Sequence, residues 1–152
     1  MRLAEALILR ADCQKRFEQL KQRIVGNAKV QEGDAPAEDP EKLITEMEAV
    51  SDELLLLIQR INKTNSTTEL HSGKSVSDAL AERDTVMLKR TVYSSLAAAA
   101  SLTQARTSKS EVKFKSTVSV PAIQKLVDEL SKSYRQLDGE IQEFNWKTDL
   151  SD

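Results

Sequence analysis

The sequence predicts an all-α protein: an antiparallel bundle of four long helices with a small β-hairpin element at one end. Three observations carry this expectation. Among 152 residues there are only four glycines and three prolines, so few positions can break a helix or reverse the chain. Aromatic residues make up 4% and charged residues 30%, and the bulk is Ala, Leu, Glu, Lys, Gln and Arg, which favour helix. Apolar residues also recur alternately three and four apart over long stretches, the seam period of paired helices.

The first helix is predicted from about Arg2 to Val30. Leu3, Ala6, Arg10, Cys13, Phe17, Leu20 and Ile24 form its seam. The second begins at "DPEKL", where Asp39 can cap and Pro40 can take the first helical position. Its stripe is Leu43, Met47, Val50, Leu54, Leu57 and Ile61, widened by Leu55 and Ile58. The third helix is expected near Val76, with Ser75 as cap, and continues through "LAAAASL" to about Arg106. The fourth starts near Pro121 and carries Ile123, Leu126, Leu130, Leu137, Ile141 and Phe144 on one face. Gly139 weakens it by roughly 1 kcal/mol relative to alanine.

Two stretches depart from the helical period. In "EVKFKSTVSV" Val112, Phe114, Val118 and Val120 alternate with polar residues, and "TTELHSGKSV" offers a turn at Ser72-Gly73. The organisation that follows is a single helical-bundle domain over 1–152. It has connecting loops at 31–39 and 65–75, an extended or β segment at 109–120 and a tail at 146–152. A chain of this length buries about two-thirds of its unfolded surface, enough for its own core.

Composition excludes several function classes. A net charge of −2 lacks the basic excess of a general nucleic-acid binder, and "KSEVKFK" with one aromatic is thin support for such contact. Between Glu32 and Glu53 nine acids face one base, Lys42, a pattern of solvated faces and helix ends. The longest aliphatic block is "LLLLI", Leu54 to Ile58, far short of a membrane span. The apolar start of the chain is interrupted by Glu5 and closed by Arg10 and Asp12, unlike a secretory leader. With Cys13 as the sole cysteine no intrachain disulfide can form, and a cytoplasmic setting is expected.

Catalytic and metal motifs find no match, and no cofactor is expected. A single histidine, His71, cannot supply the Glu-x-x-His pairs of a di-iron bundle. The acids of "QEGDAPAEDPE" lack calcium-loop spacing. "HSGKS" ends like a phosphate-binding loop, but Thr68 stands where that loop needs its first glycine. Cys13, on the seam, behaves as a small hydrophobe.

Charges in apolar surroundings are the remaining candidates. Helices two and three, joined by a short hairpin, should lie antiparallel. At 1.5 Å per residue this places Arg60, Asn62, Asn65, Arg83 and Asp84 at similar heights near the hairpin end. They are expected to form one polar network, either setting helix register or lining a small-ligand or enzymatic site.

The stretches "RADCQKRFEQLKQRI", "NAKVQEGDAPAEDPEKL", "LIQRINKTN", "DALAERD" and "YRQLDGEIQEFNWKTDL" resemble the septicolysin-like family of small bacterial proteins, classed as a domain of unknown function. The resemblance covers essentially the whole chain, and its name implies a membrane-active cytolysin. The residues themselves point to a non-enzymatic, self-assembling helical scaffold or interaction protein. Long helices with wide apolar stripes favour a homo-oligomer.

Overall fold

A computed structural model describes residues 1–101 and 113–152. Four helices account for most of them: α1 (Leu3–Gly26), α2 (Pro40–Thr67), α3 (Val76–Ser101) and α4 (Val120–Lys147). The chain divides into two compact units, Met1–Glu69 with Gln142–Asp152, and Leu70–Ile141. The all-α class and the four long helices are as the sequence predicts.

Each helix start has a local cause. The Asp39 carboxylate accepts the Glu41 N–H at 3.0 Å, and Pro40 follows in the first turn. The Ser75 hydroxyl accepts the Asp78 N–H at 3.0 Å and opens α3. The end of α1 comes four residues before the predicted Val30, because Asn27 intervenes. Its side-chain amide donates to the Arg23 carbonyl at 2.8 Å and accepts the Glu38 N–H at 3.1 Å. One side chain thus closes the helix and fixes the connection that follows. Gly33, with φ of 90°, supplies a left-handed turn in that connection.

The predicted β-hairpin is absent: there is no strand among the described residues. Around Gly73 there is one tight turn, in which the Leu70 N–H donates to the Lys74 carbonyl (2.8 Å) and the Gly73 N–H to the Leu70 carbonyl (2.9 Å). Gly73 takes φ of 77° there. Helices have claimed the residues on both sides. The Thr67 hydroxyl back-bonds to the Lys63 carbonyl within α2, and Ser75 begins α3. Of the other alternating stretch, 109–112 lie outside the described residues. Lys113–Ser119 are irregular, with the Ser116 hydroxyl turned back on the Val118 N–H and carbonyl.

In the first unit α1 and α2 run antiparallel. Arg16 pairs with Glu46 at 2.6 Å, and Arg23 with Glu38, so a forward step along α1 meets a backward step along the partner segment. Between them lies a core of Leu3, Ala6, Cys13, Leu20, Leu43, Val50, Leu57, Ile61 and Leu150. Phe17, Ile24, Met47, Leu54 and Phe144 pack on it. These are the two predicted seams, meshed. Arg10, also on the seam, enters this region half-buried, and its Nε is buried without a hydrogen-bond partner among the described residues.

In the second unit α3 and α4 are also antiparallel. Arg83 bonds Asp138, and Arg90 bonds Ser131: seven residues forward on one helix match seven back on the other. Val76, Ala79, Ala97 and Val127 are buried in it.

Two measurements follow from these packings. Replacing Arg10 with Met, which keeps the stem and removes the unsatisfied donor, should raise stability by about 1 kcal/mol in chemical denaturation. The Arg23 guanidinium bonds hold the Glu38 carboxyl below its ordinary pKa. Its stabilising effect is therefore complete above the unfolded carboxyl pKa of about 4.3 and lost as pH falls through the lower folded value. The melting-temperature difference between wild type and Glu38→Gln should be constant near neutrality and shrink below that point.

Candidate functional site

The five polar residues singled out from the sequence fall at two places with different partners. Arg60 lies on the last turns of α2 and faces the segment after α4. Its Nε donates to the Ser151 carbonyl at 2.9 Å and its Nη2 to Asp152 Oδ1 at 3.0 Å. Lys63 Nζ donates to the Asp152 backbone oxygen at 2.7 Å. One turn along, the Thr64 hydroxyl donates to the Arg60 carbonyl at 2.8 Å and accepts the Ser151 N–H at 3.0 Å. Thr64 is fully buried, at 0% exposure. Arg60, Lys63 and Thr64 thus hold the segment after α4 by its main chain and by one carboxylate. Asn62 is exposed and Asn65 half-buried, and neither takes part in that clasp.

The same segment is stitched to the start of α1. The Leu3 N–H donates to the Thr148 carbonyl and the Leu150 N–H to the Met1 carbonyl, both at 2.9 Å. Arg2 Nη1 bonds the Lys147 carbonyl at 2.8 Å and Asp149 at 3.0 Å. Leu150 is then carried into the core at 7% exposure. Every polar contact here goes to the chain itself.

Arg83 and Asp84 belong to α3 in the second unit. Arg83 bonds Asp84 Oδ1 through Nε (3.1 Å) and Nη2 (3.0 Å), and Asp138 Oδ1 through Nη1 (3.0 Å). Burial lowers the guanidinium pKa, but the bonds to the two carboxylates outweigh it and the net shift is upward. The group stays charged and fixed.

The other candidate chemistry is equally unpromising. Cys13 is buried, and that burial, followed by the neighbouring Glu53 charge, raises its thiol pKa. It remains a thiol at neutral pH and is a poor nucleophile. His71 is exposed in the turn before Gly73. No group of three or more His, Cys, Asp or Glu among the described residues is placed to hold a metal ion. No helix of the described residues is long and apolar enough to cross a membrane.

Sequence reasoning missed Thr64, Ser131, Asp138, Ser151 and Asp152. Asp138 and Ser131 carry a weak signal: they stand seven apart, as Arg83 and Arg90 do, the repeat expected of two antiparallel helices in register. The tail residues gave no periodic signal.

A model of a family of unknown function (DUF6847) matches residues 10–150. The chain belongs to this family. It is also similar to a solved crystal structure of a functionally unknown conserved protein from Corynebacterium diphtheriae. The two share 46% identity with a TM-score of 0.94, over 99% of each chain. No curated protein matches. The septicolysin-like label receives no support from these similarities, and the family and the related structure alike leave the function unknown.

The clasp on the segment after α4 gives a direct expectation. Thr64→Val preserves volume but strands the part-buried Ser151 N–H, so it should cost about 1–3 kcal/mol. Ser66→Ala, on the exposed side of the same helix, should change stability by less than about 0.5 kcal/mol. Urea denaturation of the two variants checks the contrast.

Proposed function

We propose that the protein is a non-enzymatic, self-assembling helical scaffold or interaction protein, and that its polar clusters are structural. The observation that carries this reading is the set of large apolar side chains left exposed on the helices: Ile44, Leu55 and Leu56 of α2 and Leu88 and Val92 of α3 are between 42% and 69% exposed.

Leu55 and Leu56 belong to the "LLLLI" block, so one turn of α2, between Asp52 and Gln59, presents leucine to its outer side as well as to the core. A cytoplasmic setting and a homo-oligomeric state complete the proposal, the latter because symmetric self-association is the common way to bury such faces. Arg60, Lys63 and Thr64 serve it by holding the segment after α4, and Arg83 with Asp84 and Asp138 by setting helix register.

Absolute mass by light scattering after size-exclusion chromatography, over a hundredfold range of concentration, decides it. A constant mass at a whole multiple of 17.0 kDa is expected. A monomer at every concentration overturns the reading.

A further inference from the structure

Thr148–Asp152, the segment after α4, lies on the first unit as a bound peptide lies on its receptor. Asp149 pairs with Arg2 in an antiparallel bridge, flanked by the Leu3 N–H to Thr148 carbonyl and Leu150 N–H to Met1 carbonyl bonds. On the other edge the Thr64 hydroxyl accepts the Ser151 N–H, and Arg60 Nε donates to the Ser151 carbonyl. Between these edges Leu150 enters the core. The two acids of the segment meet cations: Asp149 meets Arg2, and Asp152 meets Arg60 through its carboxylate and Lys63 through its backbone oxygen. Glu5, on the host side, is taken up by the Arg2 N–H. Extended backbone added to an edge, an anchoring side chain in an apolar slot and captured carboxylates are the recurring means of peptide recognition.

The segment is held by less than its host. Leu150 is its one buried side chain, and its ion pairs leave Asp149 and Asp152 exposed, where such pairs contribute little. The rest of the same core is buried between α1 and α2. Parts with few buried contacts open while the better-packed parts stay folded. The segment therefore lifts before the two helices separate, and lifting bares an apolar slot rimmed by Arg2, Arg60 and Lys63.

We propose that this groove, between the start of α1 and the end of α2, docks an acidic peptide of a partner protein, and that Thr148–Asp152 is its built-in competitor. The chain's own segment defines the chemistry that fits. Main-chain bonds are open to any extended peptide, and specificity comes from a leucine with an acid immediately before it and another two residues after it. Being tethered, the segment competes at an effective concentration on the order of millimolar, so it holds off a free peptide until it lifts. This names a partner class for the interaction protein proposed above. It uses a groove covered in the chain itself, not the exposed helix faces that self-assembly would bury.

The test measures fluorescence anisotropy of a labelled peptide with the sequence of residues 147–152, titrated with the full chain. Leu150→Ser loosens the segment without altering the groove, and should bind the peptide roughly tenfold or more tighter than wild type does. Adding Arg60→Ala to that variant, or replacing the leucine of the peptide with serine, should weaken binding roughly tenfold. Absence of binding to Leu150→Ser overturns the proposal, as does binding indifferent to both of those changes. Amide exchange of the wild type gives a second reading that needs no variant: Leu150 and Ser151 should exchange roughly tenfold or more faster than Leu57 and Ile61, and equal rates overturn the lifting segment. Oxidation of Arg2→Cys/Asp149→Cys should close an intrachain disulfide, whereas a covalent dimer overturns the competitor by showing that the segment of a second copy fills the groove. None of these readings depends on the mass of the wild type in solution, so failure here and failure of self-assembly are told apart.

Discussion

The apolar seam between α1 and α2 is the constraint on which the first unit depends. Leu3, Ala6, Cys13 and Leu20 mesh with Leu43, Val50, Leu57 and Ile61, and burying each large side chain contributes roughly 1.5–3 kcal/mol. The seam sets the register, and the register then brings Arg16 to Glu46 and Arg23 to Glu38. These ion pairs are consequences of the packing, because exposed pairs are too weak to impose it. Arg10 is the flaw in the seam: a charged residue at an apolar position, held half-buried with its Nε unsatisfied.

Polar residues enter the structure where chain segments must be held without a helix. The segment after α4 has no periodic pattern to dock it. It is fixed instead by Leu150 in the core, by Arg60, Lys63 and Thr64 on one side, and by the start of α1 on the other. Main-chain groups that would otherwise be buried without partners are satisfied by these side chains. Arg83 does comparable work between α3 and α4, where two carboxylates hold a partly buried guanidinium in one orientation. In both arrangements the cation is bonded to the chain's own oxygen atoms.

Surface, by contrast, is left over. Large apolar side chains such as Leu56, Leu88 and Val92 stand exposed on the helices. The polar clusters hold the chain's own helices in register, and the proposed self-assembly would cover the apolar side chains left outside them.

Sequence alone determined the helices, the caps at the starts of α2 and α3 and most of the composition of the first core. Heptad spacing and the residues Asp39, Pro40 and Ser75 are local properties, written in neighbours one to four positions apart. The β-hairpin was misread because alternation over a few residues also suits a turn flanked by helix ends. Thr67 and Ser75 use their hydroxyls to lengthen or begin helices there. The partners of the five polar residues were also beyond reach. Equal height along two helices does not say which way a side chain points, and Arg60 turns to residues more than ninety positions away in sequence, while Arg83 turns to Asp138. Those partners, the docking of Leu150 and the side of α3 left bare were decided only by tertiary structure. They depend on how far helices are rotated about their axes, and that rotation is set by the packing of the whole unit.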